Sequence, residues 1–287
     1  MFPVLQYRKQ EICNKVLFMP HDMPSRFWQA DQTNNTAKRI VLNLHNRQEI
    51  RAGECAKGVR MSRKNNKELS FLKILLLFVI HLVVWGIYAL LLVPVLKNGL
   101  GGLGYELVGE TIKLITWTMP AVFLVRHYSS DMFLTLREML SSRVKPMPYV
   151  LLSIGTLAYC LVSSIVVHGN VTLIRPDPLS HLIGTVLLVG ITEEVLFRGF
   201  FLNALLKKTR IVYAHGISSL MFVAIHLPWW IYSGSVSDLS SALFACASIF
   251  ILGFIFGWVF MKSRNIFIPI FLHMLWNLLQ TLFVVGV

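Results

Sequence analysis

Charge is what this sequence has least of. Only 14% of its 287 residues are Asp, Glu, Lys or Arg, against about 25% in an ordinary soluble domain. With 55% hydrophobic residues and a mean hydropathy of +0.62, that scarcity excludes a disordered chain and argues against a soluble enzyme. Cysteine is scarce too. Cys13, Cys55, Cys160 and Cys246 form no CxxC pair, so neither a disulfide framework nor a zinc ribbon is expected. Cys160 and Cys246 lie in apolar runs and read as buried small hydrophobes. Familiar hydrolase signatures are missing as well: there is no HExxH, no GxSxG and no evident pair of intramembrane aspartates.

What charge there is leans basic, with a formal net of +13. Residues 1–70 hold 13 Lys/Arg against 6 Asp/Glu, and the remainder holds 14 against 8. The basic residues sit in the leading segment and in short loops between apolar runs. That pattern fits a chain facing anionic lipid, not nucleic acid. Residues 1–70 are polar and mixed in charge, with no secretory signal. Two readings stay open for them: a cytoplasmic tail, or a translation start at Met61 that removes residues 1–60 from the protein.

From residue 71 onward, apolar stretches of membrane-spanning length follow one another. A helix needs about 20 residues at 1.5 Å each to cross the hydrocarbon. The expected spans are 72–96, 105–125, 149–167, 181–202, 211–231, 239–261 and 267–285. The second is interrupted by Glu106, Glu110 and Lys113. The expectation is therefore an all-α polytopic membrane protein, with about seven transmembrane helices in one bundle over residues 71–287. Loop charge orients it. Basic loops (Arg63, Lys64 and Lys67; Arg126, Arg137, Arg143 and Lys145; Lys207, Lys208 and Arg210; Lys262 and Arg264) alternate with loops holding Lys97, Arg175 or no basic residue. The N-terminus is expected in the cytoplasm and the C-terminus outside.

Ionisable residues at membrane depth each demand a partner or a purpose. The fourth span carries Glu193-Glu194-x-x-x-Arg198. At 100° per residue, Glu194 and Arg198 lie about 40° apart and can pair. Glu193 lies about 140° from Arg198 and is left to point elsewhere. One neutralised and one free carboxylate on a helix is what acid–base chemistry needs; an ion-paired strut or the floor of a transport path is the plainer alternative. The fifth span carries Phe222-x-x-x-His226 and then Pro228, which lacks an N–H and is expected to kink or open the helix. The seventh carries His273-x-x-x-Asn277 on one face, for which helix–helix hydrogen bonding is the plain reading. Together the three faces converge on one wet pocket. Glu193 then reads as a general base, His226 as a holder of water, and His273 and Asn277 as oxyanion donors. His81, His127, His168, His181 and His215 read as interfacial or structural.

The ordered set Glu193-Glu194-x-x-x-Arg198, Phe222-x-x-x-His226 and His273-x-x-x-Asn277 resembles the CPBP family, also called Abi. These are the CAAX-processing and bacteriocin-processing intramembrane proteases, whose eukaryotic relative is the Ras-converting CAAX endopeptidase. The resemblance covers about 179–287 and implies an intramembrane endopeptidase that cleaves membrane-associated peptides or proteins. It implies a water-activating Glu193, a water-positioning His226, an oxyanion site of His273 and Asn277, and a structural pair of Glu194 and Arg198. Family names say metalloprotease. Glu193, His226 and His273 suit a zinc ion with an open fourth position, and equally a metal-free glutamate mechanism. Membrane lipids and a peptide or protein substrate are the expected partners, and the expected location is a bacterial cell membrane. The rival readings are a non-enzymatic bacteriocin immunity or resistance protein and an ion-coupled transporter; the transporter reading lacks any internal repeat.

Overall fold

The computed structural model describes residues 68–100, 102–174 and 182–285. The expectations for residues 1–67, including the Met61 start, lie outside the described residues. What is described is all helical, with no strand among the described residues. We number the helices α1 (Phe71–Gly99), α2 (Gly104–His127), α3 (Leu136–Ser141), α4 (Met147–His168), α5 (182–208), α6 (Ile211–Ser233), α7 (Leu239–Ser263) and α8 (Phe267–Val284).

Six of these, all but α3 and α5, are long and apolar enough to cross a membrane. The expected fourth span, 181–202, corresponds to α5, which does not meet that standard of composition because Glu193, Glu194 and Arg198 interrupt it. The reason it can hold them is packing. Leu196, Phe197, Phe200, Phe201, Ala204 and Leu205 on α5 are fully buried, so the helix is sheathed by its neighbours. Its polar groups meet protein and not lipid. By contrast α4 is the most exposed span, with 11% of its apolar window buried.

An aromatic wall ties α5 to the first two spans and to α6. Phe201 meets Phe78 edge-on at 5.6 Å, and Phe197 meets Trp117 at 6.3 Å and Phe222 at 5.0 Å. Trp117 in turn packs on Trp85 at 4.9 Å. Such edge-to-face pairs hold ring orientations as well as burying area. The α6–α7 contact is made close by small residues. A Cβ on Gly253 would stand 3.3 Å from the Ser219 backbone, and one on Gly257 only 2.9 Å from His215 Nδ1. Small residues let helix backbones approach where the hydrophobic effect gives no driving force.

One end of the bundle is clamped by polar contacts. Asn203 is fully buried and grips the Leu134 peptide from both sides: its Oδ1 accepts from Leu134 N–H at 2.7 Å and its Nδ2 donates to Leu134 O at 2.8 Å. Nearby, Lys208 Nζ donates to Asp131 Oδ1 at 2.7 Å, and Leu69 N–H donates to Asp131 Oδ2 at 3.2 Å. Burial opposes charge on Asp131, but these donors outweigh it and hold its carboxyl below the ordinary range. At the opposite end Asp238 caps α7. Its Oδ1 accepts from Ser240 Oγ and from Ser241 N–H, which brings its pKa down to about 2.

The expectation for Cys246 needs correction, and those for Pro228 and His215 gain detail. Helix α6 runs unbroken from Ile211 to Ser233 through Pro228. The proline is buried, its Cγ 4.0 Å from where a Cβ on Gly86 of α1 would stand, and packing by neighbouring spans lets a membrane helix continue past one lost hydrogen bond. Cys160 is buried as expected, but Cys246 is only half-buried, because its face of α7 looks outward. His215, read as interfacial or structural, takes the structural role: it is buried to 3% exposure and packs against Phe254 of α7.

Candidate active site

The site is assembled where α5, α6, α7 and α8 meet. On α5, Glu194 is fully buried and its Oε1 accepts from Arg198 Nη1 at 2.7 Å. This is the i,i+4 pair that helical geometry allows. Arg198, 1% exposed, also donates from Nη2 to the Gly253 carbonyl of α7 at 3.1 Å. Its guanidinium lies over the Phe222 ring at 4.4 Å and the Phe256 ring at 5.4 Å. A buried cation is thereby met by a carboxylate, a carbonyl and two ring faces.

Glu194 Oε1 has a second donor, the Nδ1 of His273 on α8 at 2.8 Å. A carboxylate accepts only, so Nδ1 must carry the hydrogen. The other nitrogen, Nε2, faces Glu193 Oε2 at 3.9 Å. His273 is stacked on Phe256 at 5.1 Å and touches the Phe222 edge at 6.2 Å, so its ring plane is fixed. Glu193 is 9% exposed and its Oε2 has no hydrogen-bond partner among the described residues. The two neighbouring glutamates therefore differ sharply. Glu194 is bound from two sides, whereas Glu193 faces a histidine across a gap.

His226 on α6 is half-buried, and its Nδ1 meets the Phe222 carbonyl at 2.6 Å. A carbonyl accepts only, so here too Nδ1 holds the hydrogen and Nε2 is left as the acceptor. Among the described residues no hydrogen bond or ion pair joins His226 to the glutamates. Phe222 mediates, lying against His226 at 4.9 Å, beneath Arg198 and beside His273. Asn277 lies one turn beyond His273 on α8 and is half-buried. The structure thus brings Glu193, Glu194, Arg198 and His273 into one cluster, which His226 reaches through Phe222.

For zinc, the fit is poor. Among the described residues no three His, Cys, Asp or Glu side chains are grouped to hold a metal ion. His273 Nδ1 is occupied by Glu194, and Glu193 and His273 approach each other without His226.

Several contributors were not foreseen from the sequence. Gly253, Phe222 and Phe256 hold Arg198 from helices distant in sequence, and no local spacing announces that. Gly190 makes room for α8: a Cβ there would stand 2.7 Å from Met274 Cγ and 3.4 Å from Met274 N. On α2, Glu110 Oε1 pairs with Lys113 at 2.8 Å, and Gly184 of α5 sits against the Glu106 and Glu110 side chains. In the sequence these residues interrupt the second span, and the i,i+3 spacing of Glu110 and Lys113 is the signal for the pair.

A sheathed helix carrying buried carboxylates against a histidine, inside a bundle of apolar spans, defines an integral membrane protein with a reactive-looking interior cluster. Residues 175–279 are similar to a family described as type II CAAX prenyl endopeptidase Rce1-like. That stretch contains Glu193, Glu194, Arg198, His226, His273 and Asn277. Over 105 residues the chain is 31% identical to a Bacillus subtilis (strain 168) protein named "Putative membrane peptidase YdiL". The matched segment is 36% of this chain and 36% of that relative, so it spans about a third of the relative's length. No solved structure matches the chain.

Proposed function

We propose that the protein is an intramembrane endopeptidase in which Glu193 activates water to cleave membrane-associated peptides. The observation that carries this reading is the asymmetry of the two glutamates. Glu194 Oε1 accepts from both Arg198 and His273 while its Oε2 has no partner among the described residues, whereas Glu193 pairs with no cation at hydrogen-bond distance and its Oε2 faces His273 Nε2 at 3.9 Å.

Charge counting gives the mechanism. Two buried carboxylates stand against one guanidinium, so neutrality inside the membrane needs one further proton, on His273 or on Glu193. With that proton on His273, Glu193 is a free carboxylate and the imidazolium donates from both nitrogens. This is the productive form. Water attacks the scissile carbonyl carbon and gives a proton to Glu193. The oxyanion accepts from His273 Nε2–H and from Asn277 Nδ2–H. Collapse of the intermediate breaks the C–N bond, and Glu193 returns the proton to the departing amine. His226, with Nδ1–H tied to Phe222, offers Nε2 to a hydrogen of the attacking water. Because neutral His273 has no hydrogen on Nε2, its service to the oxyanion depends on its charge.

In this reading the substrate class is a leader-type or CAAX-type peptide held at the membrane, and the basic loops and N-terminus face the cytoplasm. The test compares the membrane proteomes of cells carrying wild type and Glu193→Gln. A cleavage product lost only in the variant, at equal protein level, is expected. Indistinguishable proteomes, together with full activity of purified Glu193→Gln on any peptide that the wild type cleaves, would refute it.

A further inference from the structure

We infer that the groove between α4 and α8 is a seat for one acyl chain of an anionic phospholipid, with the headgroup held by a basic rim. This inference does not rest on the peptidase reading.

The groove has a volume of about 520 Å³, and nearly all of its lining is apolar. Ile154 and Leu157 of α4 and Leu275 and Leu279 of α8 form its walls, and Val144 and Pro146 form its upper edge. From Ile268 to Leu279 on α8 it runs roughly 16 Å at 1.5 Å per residue. That is about half of a 30 Å hydrocarbon core, the depth of one leaflet. The wall on α8 lies behind the His273 face, since Phe271 and Leu275 are each two residues, about 160°, away from it.

The chemistry of the occupant is set at the rim. Asn265 Nδ2 donates to Ser142 O at 2.9 Å, and Ile266 N–H donates to Met139 O at 3.0 Å. These bonds staple the segment that precedes α4 to the α7–α8 corner. Exposed Arg143 and Lys145 flank Val144 on one side of the mouth, and exposed Lys262 and Arg264 flank Ser263 on the other. The facing acidic group is Glu138, which stands 3.6 Å from Arg264 with both side chains 48% exposed. Four cations against one carboxylate leave a positive mouth above an apolar slot. Long basic side chains reach from such a rim to a phosphate while their stems cover apolar surface. Basic pockets between spans select anionic headgroups over zwitterionic ones.

The experiment uses the full chain, purified and delipidated in detergent. It is titrated with dioleoyl-phosphatidylglycerol or with dioleoyl-phosphatidylcholine at matched concentrations. Thermal midpoint and lipid retained in native mass spectrometry are both read. Phosphatidylglycerol is expected to raise the midpoint by several degrees and to remain bound, and phosphatidylcholine to do neither. Arg143→Gln with Lys145→Gln, a surface change that leaves folding intact, should abolish the difference between the lipids. Ser153→Trp should fill the slot and abolish retention of phosphatidylglycerol, while Lys207→Gln with Arg210→Gln on another basic loop should change nothing. Equal effects of both lipids, or an unchanged preference in Arg143→Gln with Lys145→Gln, would overturn the inference. So would labelling of the groove by a photoactivatable lipidated peptide that phosphatidylglycerol does not displace, or a dimer contact that covers the groove.

Discussion

Neutralising Glu194 should do something quite different from neutralising Glu193, one residue away. Glu194→Gln keeps the side-chain shape and both acceptor contacts to Oε1 but removes the charge that faces Arg198. The guanidinium is 1% exposed and cannot move to water. Breaking one side of a buried pair costs about 3–5 kcal/mol. Arg198 retains its 3.1 Å bond to the Gly253 carbonyl and its place 4.4 Å over Phe222, so the lower end of that range applies. A loss of about 3 kcal/mol lowers the folded-to-unfolded ratio roughly 100-fold. At about 2–4 °C per kcal/mol, it lowers Tm by roughly 6–12 °C. Glu193→Gln should barely move Tm, because Oε2 has no hydrogen bond to lose, yet it should reduce turnover by about 10²–10⁴-fold. Thermal unfolding in detergent and peptide cleavage, measured on both variants, make the comparison. The double variant Glu194→Gln/Arg198→Met supplies the control. With the orphaned charge gone, it should recover much of the lost stability. A Glu194→Gln protein as stable as wild type, or a Glu193→Gln protein that is the less stable of the two, would refute the assignment of roles.

Other expectations are as direct. Asn203→Ala orphans the buried Leu134 N–H and carbonyl and should cost about 2–4 kcal/mol, with faster hydrogen exchange confined at first to residues 129–135. Asp131 has its carboxyl held below the ordinary range in the folded state. Its contribution is therefore present above the unfolded pKa and lost as pH falls through the lower folded one, and Asp131→Asn should flatten the acid side of a Tm-against-pH curve. Gly190→Val places a methyl where Met274 stands and should displace α8 from α5. Misplacement of about 1 Å costs on the order of 10²-fold in rate, so cleavage should fall while insertion, followed by protease protection, stays normal. Single cysteines introduced near Ser235 and near Lys208 should be labelled from opposite sides of the membrane, with the Lys208 site cytoplasmic; labelling of both from one side would refute that topology.

Much of the architecture was readable because bilayer thickness dictates segment length. Expected spans such as 72–96 and 239–261 fall within a few residues of Phe71–Gly99 and Leu239–Ser263. The Glu194–Arg198 contact was readable for a related reason, since it is local and i,i+4 geometry leaves little freedom. The tie from His273 Nδ1 to Glu194 was not readable. Its partners are 79 residues apart, and pairing across helices depends on how each is rotated in the bundle. Read by itself, the His273–Asn277 stripe offered two donors to an oxyanion. The structure commits one nitrogen of His273 to Glu194, which makes the other a donor only when the ring is charged. Asn203 gave no signal at all, because a single amide at the end of an apolar run looks like any interfacial residue.

The composition of α5 also bears on how the protein is made. Each charged side chain near the middle of a span adds about 2.5–3.5 kcal/mol to the cost of leaving the translocon for lipid, and α5 carries Glu193, Glu194 and Arg198. The internal pair offsets part of this, but the Gly253 carbonyl and the His273 ring that complete the environment lie on α7 and α8. Those helices emerge from the ribosome later. During synthesis α5 is therefore an unfinished span that waits at the channel or the interface for its partners. The helix that bears the candidate base becomes a stable membrane segment only when the last helices arrive, so a chain truncated before α8 should be a substrate for quality control and not a partly active protein.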